Sequence, residues 1–315
     1  MRERQLGTTE LRVSPVGLGC NNFGVRLDRA GARDVVHAAL DAGITLFDTA
    51  DIYGQRGGSE TILGGVLGER RKDIVLVTKF GLAMDDEERL KGGSARYVMT
   101  AIEASLKRLK TDWIDLYYLH RPDPTTPIEE TLRAFDKLIE QGKVRYVGCS
   151  NMSAVQVVEA DQVAKANSLD RFISCQDQYN LLSRQIEADL IPAMQAHKLT
   201  LLPYFPLASG MLTGKYKFGA PILQGTRLSQ KRYSDRFLTN ENFRVVEDLS
   251  AFSARSGHSL LELAFGWLLS KPVVGCVIAG ASTAEQVRQN VAASTWRLDA
   301  ADVAEADRLS NRGKA

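Results

Sequence analysis

Three ionisable side chains stand at the ends of three short apolar runs in this 315-residue chain. Asp48 closes Leu46-Phe47-Asp48, Lys79 closes Val77-Thr78-Lys79, and His120 closes Tyr117-Tyr118-Leu119-His120. A carboxylate, an ammonium and an imidazole gathered at one place are a set for moving protons and stabilising developing charge. Tyr53 follows Asp48 by five residues, and polar groups end two further runs, Ser150-Asn151 and Gln176. Taken singly, each has a plainer reading. Asp48 suits a helix cap, Lys79 a solvated strand end and His120 a satisfied core histidine. Tyr53 suits packing at a rim, Ser150-Asn151 a cap and Gln176 a buried amide. Their joint position argues more than any one of them.

The elements that must position them alternate. Runs rich in Val, Ile, Leu and aromatics occur at Val13–Gly19, Ile44–Thr49, Ile74–Lys79, Trp113–His120, Lys143–Cys149, Phe172–Gln176, Leu199–Tyr204 and Gly275–Ala279. Nearly continuous apolar character suits parallel strands covered on both faces. Helical patterns lie between them: Val98, Ile102, Leu106 and Leu109 fall on one face. Asp28 and Gly43 bracket one helix. Thr126-Pro127-Ile128-Glu129 reads as a capped helix start that Gly142 ends, and Ser153 with Gln156 forms a capping box. Eight such units with no Pro/Gly/Ser-rich linker favour a single domain over residues 1–315, a closed (β/α)8 barrel, whose usual size is about 250 residues. The surplus is assigned to long loops at the C-terminal face, at Phe80–Gly93 and Gly214–Leu238, and to a short N-terminal β-hairpin within Arg2–Leu11. An open doubly wound sheet is the alternative, but Gly17-Leu18-Gly19 lacks the third glycine of GxGxxG, and no P-loop occurs. In such a barrel the working groups lie at the C-terminal ends of the strands, where Asp48, Lys79 and His120 stand.

Composition narrows the classes. Apolar residues at 44% and charged residues at 25% are ordinary for a globular chain and exclude disorder and collagen. Forty Lys+Arg against 38 Asp+Glu leave a net charge of +2, no basis for nucleic acid or an anionic membrane as partner. No apolar run approaches the ~18 residues of a membrane span, and the charged start Met1–Gln5 has no signal-peptide pattern. Cys20, Cys149, Cys175 and Cys276 form no CxxC and lie in or beside apolar runs. They are expected to be free core thiols in a reducing, cytoplasmic compartment. His37, His120, His197 and His258 are scattered, so no catalytic metal is expected.

The motifs Asp48-Thr49-Ala50-Asp51-Ile52-Tyr53-Gly54, Thr78-Lys79, Leu119-His120-Arg121-Pro122 and Gly148-Cys149-Ser150-Asn151 resemble those of the aldo-keto reductases, in order and spacing. The resemblance runs from Val16-Gly17-Leu18-Gly19 to Gln286–Asn290. It is closer to the branch that includes prokaryotic reductases and the potassium-channel β-subunits than to the aldose reductases. It implies hydride transfer between a nicotinamide and a carbonyl, with Tyr53 as proton donor. A tyrosine pKa near 10 would have to fall by roughly three pH units for neutral operation, ~4 kcal/mol of preferential stabilisation. Lys79 is expected to supply it, held and balanced by Asp48, while His120 polarises the carbonyl oxygen.

The resemblance also implies the coenzyme contacts. Gly19, Cys20, Asn21 and Asp48 line the site, and Ser150, Asn151 and Gln176 take the carboxamide, since amides and hydroxyls both donate and accept. Tyr204 stacks on the nicotinamide. Phe205, Pro206, Leu207, Ala208 and Ser209 meet the pyrophosphate. Gly280, Ser282, Gln286, Gln289 and Asn290 lie at the adenosine end. Independently, Gly214–Leu238 carries Lys215, Lys217, Arg227, Lys231, Arg232 and Arg236 against Asp235 alone. That is either a solvated basic face or a lid for phosphates, with Lys215 and Arg227 matching family contacts. Gly280 and Gln286 stand where aldose reductases carry Lys and Arg, which weakens the case for NADP(H) over NAD(H). The branch match and a helix start near Thr283 favour NADP(H). The substrate is expected to be an aldehyde, a ketone or a sugar-like carbonyl, with Asn22, Phe23, Phe80 and Tyr118 as rim candidates that read equally well as packing. A cofactor-binding regulatory subunit and an NAD-dependent sugar dehydrogenase are the competing readings.

Overall fold

The computed structural model describes residues 1–311. A hairpin of β1 (Arg4–Gln5) and β2 (Arg12–Val13) precedes the repeat. Then follow β3 (Val16–Gly19), α1 (Arg29–Asp41), β4 (Leu46–Asp48), α2 (Tyr53–Leu67), β5 (Val75–Phe80), α3 (Ala95–Leu109), β6 (Ile114–Leu119) and α4 (Ile128–Glu140). The second half comprises β7 (Val144–Ser150), α5 (Ala154–Ala166), β8 (Ser174–Gln176), α6 (Leu190–Ala196), β9 (Thr200–Leu201), α7 (Lys231–Phe237), α8 (Asn240–Arg255), α9 (Leu260–Ser270), β10 (Val277–Gly280), α10 (Ala284–Ala293) and α11 (Ala300–Ser310). The strands pair in parallel in the order β10-β3-β4-β5-β6-β7-β8-β9. Between the last and first of these, Leu201 bridges Val274 in parallel, and Ile278 N–H reaches Pro203 C=O at 3.1 Å. The result is the (β/α)8 barrel.

The core is two concentric layers, because successive side chains of a strand point to opposite faces. Leu46, Val75, Val77, Leu116, Tyr118, Leu202, Cys276 and Ile278 fill the interior, and Leu6 and Val13 of the hairpin plug its floor. Phe47, Leu76, Phe80, Tyr117, Cys149 and Cys175 face outward and pack with the helices. All four cysteines are free and buried.

Several local expectations shift. The first run divides at Pro15, which has no N–H for a ladder, leaving Val13 in the hairpin and Val16–Gly19 in the barrel. Leu199–Tyr204 is a strand only at Thr200–Leu201, with Pro203 beyond it. Thr126 does not cap α4: its hydroxyl donates to Asp123 at 2.8 Å, and Pro127 holds the cap position. Asp28 and Ser153 cap as their sequence indicates, the latter in a capping box with Gln156. Gly142 follows the end of α4 at φ 70°, as expected. Among the described residues no helix is long and apolar enough to cross a membrane.

Candidate active site

Period two along the strands places the site. Leu46, Val77 and Tyr118 are interior residues. Two positions later on the same strands stand Asp48, Lys79 and His120, so all three enter the barrel axis one layer above the apolar plug. Ser174 joins Tyr118 by a 2.6 Å hydroxyl contact inside the barrel, and Gln176 stands two residues beyond it. Gly148 makes room for Tyr118, since a Cβ there would lie 2.5 Å from its ring, and Ser150 stands two residues on.

These groups meet. Lys79 Nζ donates to Asp48 Oδ1 at 2.8 Å, to Asp48 Oδ2 at 2.9 Å and to the Thr49 carbonyl at 2.7 Å. These acceptors hold an ammonium that exposes no surface and that also bonds the Tyr53 side chain. Gln176 Nε2 donates to Asp48 Oδ1 at 2.8 Å. Lys79 Nζ lies 5.0 Å from the centre of the Tyr53 ring, and the Tyr53 and His120 rings meet edge to face at 5.7 Å.

Tyr53 is carried by an unusual turn. Gly54, Gln55, Arg56 and Gly57 run at φ 68°, 63°, 67° and 105° before α2 settles into right-handed geometry. Left-handed backbone costs non-glycine residues roughly 1–2 kcal/mol each. Gly54 is sterically obligatory, since a Cβ there would lie 2.4 Å from Ser59 N and 2.6 Å from Phe23 O.

The electrostatics depart from the sequence expectation at Tyr53. Burial pushes the phenol above its ordinary pKa, Lys79 pulls it down, and Asp48 opposes Lys79. The balance is upward, so in the free chain Tyr53 stays a protonated, uncharged phenol and its pKa does not fall toward 7. Burial also lowers Lys79, but Asp48 and Tyr53 outweigh it and hold the ammonium charged. Burial, Lys79 and Arg121 together push His120 well below the usual imidazole range, so it is neutral at pH 7. Its Nδ1 has no hydrogen-bond partner among the described residues.

Beside this cluster, Asn151 sits at φ 58° and its amide joins three elements. Its Nδ2 donates to His120 O at 3.1 Å and to Ser150 Oγ at 2.8 Å, while Oδ1 accepts from Tyr204 OH at 2.8 Å. Ser150 Oγ donates to Gln176 O at 2.7 Å. Both Asn151 donors are thereby used, and only a lone pair on Oδ1 remains for a ligand.

Beyond Tyr204 the backbone is strained, with Phe205, Ala208 and Ser209 at φ 52°, 46° and 59°. Asn180 Nδ2 holds Phe205 O at 2.8 Å, and Ser209 Oγ is buried without a partner. Pro206 and Ala208 are buried, Leu207 partly so. Lys215 lies against this stretch, its Nζ 3.6 Å from where a Gly210 Cβ would be. Arg227 donates to Asn21 Oδ1 at 3.1 Å and Asn22 Oδ1 at 3.0 Å, latching the basic loop to the segment after β3. Gly19 pairs with Gly280 between β3 and β10, and Cys20 N–H bonds Asp48 O at 2.8 Å. At the far end Ser282 N–H donates to Gln286 Oε1 at 2.8 Å, Thr283 caps α10, Gln289 bonds Glu285 and Asn290 is buried.

Sequence reasoning missed three contributors. The Thr49 carbonyl is a backbone group and has no side-chain signal. Asn180, two residues before Leu182, reveals itself only by its reach to Phe205. Asp177 is buried beside Asn151 and pushed up to about 8 by burial, against the lowering effect of the Asn151 N–H. The rim candidates Asn22, Phe23, Phe80 and Tyr118 are all buried, with Phe23 and Phe80 in the outer core layer and Tyr118 in the barrel interior, which matches their packing reading. Phe80 stacks on Tyr117 at 4.8 Å. No cluster of three or more His, Cys, Asp or Glu suited to a metal occurs among the described residues.

Known proteins resemble this chain over nearly its whole length. The model of the aldo/keto reductase family matches residues 15–311. A protein of Oryza sativa subsp. japonica named as a probable voltage-gated potassium channel subunit beta is 38% identical over 304 residues, covering 93% of this chain and 91% of its own. Its namesake in Arabidopsis thaliana is 37% identical over 304 residues, with the same coverage. The Bacillus subtilis (strain 168) uncharacterized oxidoreductase YqkF is 36% identical over 303 residues, covering 94% of this chain and 92% of its own. With the eight-stranded barrel and with Asp48, Lys79 and His120 at its mouth, the chain belongs to the aldo/keto reductase family.

Proposed function

We propose that the protein is an NADP(H)-dependent carbonyl reductase, converting an aldehyde, ketone or sugar-like carbonyl to an alcohol with Tyr53 as proton donor. The observation that carries this is the packing of Lys79 between Asp48 and the Tyr53 ring, with His120 against the same ring. A bound nicotinamide coenzyme supplies the hydride. The chain's own groups do the rest. His120, neutral, offers an N–H to the carbonyl oxygen and fixes its direction. Tyr53 gives its proton to the oxygen as negative charge builds there, and Lys79 steadies the phenolate left behind. An alkoxide is a stronger base than a phenolate, so a phenol held protonated serves reduction. By microscopic reversibility the same groups serve the reverse oxidation, with the Tyr53 phenolate as base.

The coenzyme reading rests on donor chemistry. Asn151 Oδ1 and the Gln176 amide suit a carboxamide, Tyr204 a nicotinamide face, and the unpartnered Ser209 hydroxyl with Lys215 and Arg227 a pyrophosphate. Gly19, Cys20 and Asn21 flank the opening. Gly280, Ser282, Gln286, Gln289 and Asn290 form the adenosine end, where the start of α10 favours a phosphate without a side-chain cation. The four buried free thiols suit a reducing cytoplasmic setting. The even charge balance suits a small-molecule partner rather than nucleic acid or a membrane. Two relatives named as channel subunits favour a second reading, in which coenzyme binding is itself the function and turnover incidental. Assaying a panel of aldehydes, ketones and sugars with NADPH and NADH separates these. Turnover with NADPH, and tighter NADPH than NADH binding by fluorescence titration, is expected. Equal affinities overturn the NADP(H) preference, and binding without turnover of any carbonyl favours the second reading.

A further inference from the structure

We propose that the preferred substrate carries an anionic group, carboxylate or phosphate, beside its carbonyl, and that Arg121 and Arg236 select it. The inference rests on the reductase reading above and adds the substrate class.

Arg121 is the residue after His120, at the exposed mouth where β6 ends. The His120 ring meets Tyr53 at 5.7 Å, so Arg121 stands beside the place a carbonyl must occupy. Arg236 is exposed on α7, its guanidinium 5.4 Å from the Phe237 ring. It is three residues from Tyr233 on α7, and positions i and i+3 share a helix face. Tyr233 meets Phe205 edge to face at 5.9 Å, and Phe205 meets Tyr204 at 5.3 Å, which brings that face of α7 to the same mouth. The charges of both arginines bear on the Tyr204 phenol, and that of Arg121 also on His120.

The acids of the neighbouring loop are already engaged. Asp85 and Glu87 pair with Arg89, Asp86 with Arg56 at 2.7 Å and Glu88 with Lys91 at 2.5 Å. Asp123, two residues beyond Arg121, accepts from Gly93 N–H and from Thr125 and Thr126. Among the described residues neither Arg121 nor Arg236 has a carboxylate within ion-pair distance. Other basic groups nearby have work elsewhere: Arg227 is tied to Asn21 and Asn22, and Lys215 lies on the Phe205–Gly210 stretch. Two exposed guanidiniums whose charges both reach Tyr204, and that are left without acids, suit a carboxylate or phosphate.

The test compares kcat/KM, with NADPH, for 4-carboxybenzaldehyde against its methyl ester, and for glyceraldehyde 3-phosphate against glyceraldehyde. The wild-type protein should favour the anionic member of at least one pair by about tenfold, the worth of one charge-assisted contact. Whichever pair shows it identifies carboxylate or phosphate. Arg121→Gln and Arg236→Gln should each shrink that ratio, mainly through KM of the anion, and Arg121→Lys should restore part of it. The preference should also weaken as salt rises. Ratios near one in the wild type, or ratios indifferent to these substitutions, overturn the inference while leaving the reductase reading intact. Failure to turn over either member of both pairs, with the aldehyde, ketone and sugar panel also inert, overturns both.

Discussion

Lys79 and Asp48 form an ion pair of 2.8 Å in which the lysine exposes nothing and the aspartate almost nothing. A pair so placed is expensive to break from one side, because the survivor is a buried charge without a partner; about 3–5 kcal/mol is usual. Asp48→Asn should therefore lose stability on that scale in urea unfolding, and Lys79→Met likewise. The double substitution should lose much less than the sum. Additive losses would mean the two side chains are not coupled as their geometry requires.

Asp177 should give the protein a distinctive response to pH. Burial raises its carboxyl from 3.8 to about 8 in the folded chain. Between those values the folded state holds a proton that the unfolded state has released. Stability contributed by this group is then present at low pH and declines as pH rises toward 8, at up to about 1.4 kcal/mol per pH unit. Asp177→Asn removes the titrating group. Urea unfolding across pH 5–9 should show wild type losing ground to this variant as pH rises, with the difference levelling above pH 8. Parallel curves would contradict the assignment.

Gly54 tests whether the left-handed turn aims Tyr53. A methyl group there meets backbone atoms of Ser59 and Phe23, neither of which can swing aside as a side-chain tip would. Gly54→Ala should lower kcat more than it weakens coenzyme binding, because the phenol moves while Ser150, Asn151 and Gln176 stay. It should also destabilise by more than about 1 kcal/mol. Wild-type kcat in this variant would show that the turn does not set the position of the phenol.

Much of this was legible in the sequence for a simple reason. Parallel strands covered on both faces write themselves as apolar runs, and the first polar residue past each run marks the barrel mouth. Asp48, Lys79 and His120 announce themselves that way. What was not legible depends on three-dimensional contacts. The short β9 and the break at Pro15 depend on where proline denies a backbone donor. The burial of Phe23 and Phe80 depends on which face of the sheet each meets. The upward balance at Tyr53 is a contest between desolvation and one cation, and no spacing of residues discloses which prevails. Thr49 contributes a carbonyl, which every residue has.

The phenol of Tyr53 is the proton donor on which the account turns, and replacing it by Phe removes one oxygen while leaving the ring against Lys79 and His120. Single-turnover reduction of an aldehyde by the NADPH-loaded protein should slow by roughly 10²–10⁴-fold in Tyr53→Phe, while NADPH affinity stays within about 1 kcal/mol, since the hydroxyl acts mainly in the transition state. Near wild-type reduction by that variant would contradict the account.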